Sequence, residues 1–121
     1  MSKLILHVDD EPEIREVLQA ALEDEGYQVV GAADALEAAK LLADRQPDLL
    51  IADMQLTDRD GLAMIREFRG RQPGLKTILL TGVLIDPRVA RRTLGEHVDA
   101  YVAKTTSLTE ILAEIRRLLG A

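Results

Sequence analysis

The chain has 121 residues, 47% apolar and 30% charged, with a net charge of −6 and aromatics at only 2%. That length suits one domain with one aliphatic core, and the scarcity of aromatics excludes base-stacking on single-stranded nucleic acid. Cysteine is absent, so disulfide frameworks, thiolate metal sites and thiol nucleophiles are excluded.

The N-terminal "MSKLILHVDD" is too short and too soon acidic for a signal peptide, and no apolar run is long enough to span a bilayer. A cytoplasmic protein with no membrane association is expected. Residues 1–58 carry 4 basic and 14 acidic side chains, against 11 and 7 in residues 59–121. The bland reading is two solvated faces of different bias; the sharper one is a basic docking face at Arg88, Arg91 and Arg92. The overall acidity argues against direct nucleic-acid binding.

In chain order, "KLILHV" (3–8) is an apolar run of strand formers. Ile14, Val17, Leu18, Ala21 and Leu22 then recur at helical spacing, with Pro12 in the first turn, Asp10 as a candidate cap and Gly26 as the stop. "YQVVGA" (27–32) is a second strand. Asp34 opens a second helix carrying Leu36, Ala39 and Leu42, which Pro47 ends. "DLLIAD" (48–53) is a third strand. A short helix follows, with Leu62, Ile65 and Phe68 inward.

"LKTILLTG" (75–82) is the fourth strand, and "DPRVARRTLG" (86–95) the fourth predicted helix, with Asp86 as cap. "DAYVAK" (99–104) is the last strand. The last helix starts at a capping box, Ser107 and Glu110, and bears Leu108, Ile111, Leu112, Ile115 and Leu119. Five near-continuous apolar strands alternating with five amphipathic helices predict an α/β protein, a parallel sheet covered on both faces. No repeat or linker interrupts it, so residues 1–121 are read as one domain. After the last helix only Gly120 and Ala121 remain, so no DNA-binding effector is expected within this stretch.

Ligands of such sheets bind beyond the carboxyl ends of the strands. Asp9 and Asp10 follow the first strand, Asp53 ends the third, Thr81 the fourth and Lys104 the fifth. Taken singly, Asp10 reads as a helix cap, Asp53 as a turn residue, Thr81 as a strand-end hydroxyl and Lys104 as a solvated cation. Their convergence on one edge changes the reading. Three neighbouring carboxylates repel and need a counter-charge, which a hard cation with oxygen ligands such as Mg²⁺ supplies. Lys104 adds a second positive charge, so the site is prepared for further anionic charge such as a phosphoryl group. Thr81 and the Gly82 N–H are donors for its oxygens, and Asp53 is the candidate nucleophile, an aspartyl phosphate being a known type of covalent intermediate. His7 and His97 have no second ligand at metal-binding spacing and are read as packed or surface residues.

With these residues in hand, the chain resembles the receiver domain of two-component response regulators over essentially its whole length. "VDDEP" resembles the acidic pair, "DMQLTDRDG" the phosphoacceptor loop with Asp60-Gly61 in place, "LLTG" the switch-threonine strand and "DAYVAK" the lysine strand. The resemblance implies a flavodoxin-like doubly wound sheet in the order 2-1-3-4-5 with helices on both faces. It implies Asp53 as phosphoacceptor, assisted by Thr81 and Lys104. Mg²⁺ would be held by Asp10, Asp53 and the Gln55 backbone carbonyl, with Asp9 acting mainly through water. The phosphoryl group would come from a histidine kinase. The domain would catalyse only its own phosphorylation and dephosphorylation.

Thr81 and Tyr101 would form the switch, read out through the fourth predicted helix, the last strand and the last helix by an unidentified downstream protein or effector domain. Two departures stand out: Thr57 where the family often has proline, and Thr105 where a cis proline usually follows the lysine. A cis bond before a non-proline residue costs about 3 kcal/mol, so a trans Lys104–Thr105 bond or a reshaped loop is expected. The segment between Thr81 and Lys104 is one residue longer than is usual. The alternative from another class is a small-substrate aspartyl-phosphate enzyme. It would want an acid two residues after the nucleophile, where Gln55 stands. A further alternative is a receiver-like protein-binding module that is never phosphorylated.

Overall fold

The computed structural model describes residues 2–82 and 98–120. Its elements in order are β1 (Leu4–Val8), α1 (Pro12–Asp24), β2 (Gln28–Ala32), α2 (Ala35–Arg45), β3 (Leu49–Asp53), α3 (Gly61–Arg71), β4 (Lys76–Thr81), β5 (Ala100–Ala103) and α4 (Leu108–Leu119). The fourth predicted helix, at 86–95, lies outside the described residues, as do Arg88, Arg91, Arg92 and His97.

All strand pairings are parallel, and the order is β2-β1-β3-β4-β5, as expected. The reason is visible in β1 and β3, which are buried at every position and so offer apolar side chains to both faces. On one face Leu6, Val8, Leu50 and Leu79 pack with Ala38 and Leu42 of α2 and Ile65 and Phe68 of α3. On the other, Ile5, Ile51, Leu80 and Val102 pack with Leu18 and Leu22 of α1 and Ile111 and Ile115 of α4. Burying each of the larger of these side chains contributes about 1.5–3 kcal/mol.

Helix starts follow the polar punctuation. Asp34 caps α2 through the Glu37 N–H (2.8 Å), and Ser107 caps α4 through the Glu110 N–H (3.3 Å). Pro12 occupies the first turn of α1, and Gly26 follows its end at φ +96°. Asp10 is a correction: the N-cap of α1 is Glu11, which makes no side-chain cap, because Asp10 is turned to the sheet edge with Asp9 and Asp53. Two helix faces also differ from expectation. Val17 is 64% and Leu36 65% exposed, while Ala35 and Ala38 are buried. Small side chains let α2 approach the sheet closely, so its buried stripe runs through alanines and not through the larger Leu36. Among the described residues no helix is long and apolar enough to cross a membrane.

Candidate functional site

Register brings the site together. Val8 pairs with Ala52, Asp53 with Leu80, and Thr81 with Ala103. The next residue along each chain therefore emerges at the same edge. Hydrogen bonds carry the ladder past the strand ends: Asp9 N–H to Ala32 (3.0 Å), Met54 N–H to Leu80 (2.9 Å) and Lys104 N–H to Thr81 (2.8 Å).

Asp9, Asp10 and Asp53 each offer a carboxylate oxygen within 4.8 Å of the others. Asp9 and Asp53 are buried. Asp9 Oδ1 accepts from the Glu11 N–H (2.9 Å) and Asp53 Oδ1 from the Gln55 N–H (3.3 Å). Lys104 Nζ donates to Asp53 Oδ2 (3.0 Å) and stands 3.5 Å from Asp9 Oδ2 and 3.6 Å from Glu11 Oε1. One ammonium thus faces three carboxylates. Burial pushes the Asp9 carboxyl above its usual range, outweighing the Glu11 N–H and Lys104, and the neighbouring Asp53 and Glu11 charges add to the rise. Burial pulls Lys104 the other way, but the Asp53 bond and the Asp9, Asp53 and Glu11 charges leave it above the ordinary lysine value.

Asp9 Oδ2 is buried and makes no hydrogen bond. An orphaned carboxylate oxygen beside two more carboxylates is a donor set for a hard cation, and Mg²⁺ fits it. Asp10, Glu11, Asp53, Gln55, Gly82 and Lys104 line the open cleft above, while Asp9 is fully buried. Thr81 is buried at the end of β4. Tyr101 pairs with Leu79 and is half-buried against the α2–α3 side of the core.

The departures from the family pattern leave the lysine in place. No cis peptide occurs among the described residues, so Lys104–Thr105 is trans, and a turn closes through the Thr106 N–H to Ala103 (2.9 Å). In the loop after Asp53, Asp60 caps α3 through the Leu62 N–H (2.8 Å), and the Gly61 N–H bonds the Met54 carbonyl (2.9 Å). A Cβ at Gly61 would lie 1.9 Å from the Asp53 carbonyl oxygen. Only glycine allows this close approach beneath the candidate nucleophile.

Two residues escape sequence reasoning. Arg15 Nη1 donates to the Asp9 carbonyl, from one turn into α1. Asp58 gives its two oxygens to the Ala35 N–H (3.0 Å) and the Leu36 N–H (3.1 Å) at the start of α2, and the Ala35 bond, chief among its contacts, holds its carboxyl below the usual range. Asp58 lies 22 and 23 residues from these partners, beyond any periodic signal.

A family model described as "Response regulator receiver domain" matches residues 5–116. Among curated proteins, the chain is 35% identical over 116 residues to the probable transcriptional regulatory protein TcrX of Mycobacterium tuberculosis, covering 95% of the chain and 49% of TcrX. It is 38% identical over 120 residues to the response regulator MprA of M. tuberculosis, covering 98% and 51%. The chain thus spans about half the length of the curated relatives it matches.

Among solved structures, a CheY-like receiver domain protein from Methanospirillum hungatei superimposes with a TM-score of 0.88 at 30% identity, covering 99% of this chain and 95% of that one. The response regulator TrrA of Thermotoga maritima, in complex with Mg²⁺-BeF, does so with a TM-score of 0.84 at 35% identity, covering 96% and 98%.

Proposed function

Because the chain belongs to the response regulator receiver family, we propose that it is a phosphorylation-dependent signalling switch, with Asp53 accepting a phosphoryl group from a histidine kinase in the cytoplasm. The observation that carries this reading is the meeting of Asp9, Asp10 and Asp53 within 4.8 Å, with Lys104 Nζ 3.0 Å from Asp53. In the step, a carboxylate oxygen of Asp53 forms the new P–O bond. The P–N bond of the donor phosphohistidine breaks, and its electron pair returns to the imidazole, which takes up a proton. Lys104, Thr81 and the Gly82 N–H would receive the phosphoryl oxygens. Asp10, Asp53 and the Gln55 carbonyl would hold Mg²⁺, with Asp9 mainly through water. The ion supplies charge neutralisation for acids that otherwise repel the incoming group.

The aspartyl phosphate brings roughly −1.5 to −2 charges and three acceptor oxygens. Thr81 moves toward it, and Tyr101 turns into the space vacated. The group shifts an existing equilibrium by its differential affinity for the two states. The surface read by the downstream protein or effector domain is the one around β5 and α4. The only chemistry catalysed is the domain's own phosphorylation and dephosphorylation. Histidine kinases are also where the phosphohistidine donor of this chemistry resides, so they are the expected partner.

Intact-mass measurement after incubation with acetyl phosphate and Mg²⁺ tests this. One added phosphoryl group is expected, absent with chelator or in Asp53→Asn. Beryllofluoride binding followed by NMR on the same sample covers rapid turnover. No adduct together with no beryllofluoride response sinks the reading and leaves a protein-binding module.

A further inference from the structure

The loop between Asp53 and α3 carries the Gln55 carbonyl and is tied down at both ends. At one end Gly61 is pressed against the Asp53 backbone. Within the loop, Gln55 and Asp60 form a bridge, and the Leu56 N–H bonds the Arg59 carbonyl (3.2 Å). The remaining tie leaves the loop altogether: Asp58 clasps the first two N–H groups of α2. That helix already has its own cap. Asp34 takes the Glu37 N–H (2.8 Å), and the Ala38 N–H makes the first intrahelical bond to the Asp34 carbonyl (3.1 Å). The helix is also fixed to the sheet by buried Ala35, Ala38 and Leu42. The start of α2 is therefore a fixed post, and the clasp ties the loop to it.

From this geometry we propose that Asp58 is a positioning residue for the cation site, registering the acceptor loop on α2 so that the Gln55 carbonyl is preset for the metal. The proposal rests on the reading of Asp9, Asp10, Asp53 and Gln55 as the metal site. Proline where Thr57 stands would restrain the loop by fixing φ. Here the neighbouring carboxylate supplies restraint through two tertiary hydrogen bonds. Outer groups that orient a ligand tune metal affinity without touching the ion. Because such coupling is reciprocal, Mg²⁺ binding also tightens the clasp.

The test is an NMR titration of the full chain with Mg²⁺ alone, in wild type, Asp58→Ala, Asp58→Asn and Asp34→Ala. Asp58→Ala is expected to weaken Mg²⁺ binding by roughly tenfold. The Ala35 and Leu36 amides are expected to respond to Mg²⁺ in wild type and to lose that response in the variant. Asp58→Asn keeps the shape and one oxygen, and falls between; it gives the answer if Asp58→Ala does not fold. Asp34→Ala removes the helix's own cap and is expected to lower stability while leaving Mg²⁺ affinity unchanged, which separates positioning from capping. Wild-type affinity in both Asp58 variants overturns the proposal. So does an equal loss in Asp34→Ala. A wild-type chain that binds no Mg²⁺ overturns the metal-site reading itself, and the proposal with it.

Discussion

The two edges of the sheet use aspartates in opposite ways. At the amino edge, Asp48 Oδ2 accepts the Leu4 N–H (2.8 Å) and ties β3 to β1, while Asp99 Oδ2 accepts the Thr77 N–H (2.8 Å) and faces Arg69 Nη1 at 3.3 Å, tying β5 to β4. At the carboxyl edge, Asp9, Asp10 and Asp53 crowd together around one lysine, and a buried oxygen of Asp9 has no hydrogen bond. The amino edge spends its acids on holding strands in register. The carboxyl edge crowds three acids and leaves one buried oxygen unbonded, which fits the proposed cation site.

Unpartnered groups extend one step inward from the carboxyl edge. His7 is buried two residues before Asp9, and neither ring nitrogen has a hydrogen-bond partner. Burial first, then the charges of Arg15 and Lys104, lower its pKa to about 4. The folded state thus favours the neutral ring. The stability tied to that neutrality is full above the unfolded value near 6.5, falls as pH drops below it, and is gone below about 4. This amounts to about 3 kcal/mol across that window. His7→Val is expected to remove that share of the acid sensitivity, read as the difference between the two proteins' urea-unfolding free energies at pH 7 and pH 4. Parallel pH profiles would mean that the ring is solvated or paired in solution.

The next effect belongs to the amino edge. Asp99→Ala leaves the Thr77 N–H without its side-chain acceptor and is expected to cost about 2 kcal/mol. Equilibrium unfolding gives the loss, and an Mg²⁺ titration of the same variant should match wild type. A variant that kept its stability but lost Mg²⁺ affinity would erase the division between the edges.

That division was half legible in the sequence. The carboxyl edge announces itself because acids, a threonine and a lysine interrupt apolar runs at strand ends, and register does the rest. The amino edge is quiet, since Asp48 and Asp99 look like ordinary loop acids until the strands are paired. Periodicity found every described helix but misjudged individual faces. It weights Val17 and Leu36 by hydrophobicity, whereas close helix–sheet packing selects Ala35 and Ala38. The Asp58 clasp was hidden because it joins residues that only the fold brings together. Thr105 was readable as a departure, and the trans bond expected there coexists with a lysine that still reaches Asp53.

Thermal unfolding of wild type and Asp9→Asn, each with chelator and with Mg²⁺, tests the central claim most directly. The raised Asp9 pKa means that its folded-state stability is present at low pH and is lost as pH rises through that value, so at neutral pH the ionised group is a burden. In chelator, Asp9→Asn is therefore expected to melt above wild type. Saturating Mg²⁺ should then raise wild type, by about 2.7 kcal/mol at 100 times its dissociation constant, and raise the variant less. A wild-type protein indifferent to Mg²⁺, or an Asp9→Asn variant that melts below it in chelator, would contradict the view that these acids are held in reserve for a cation.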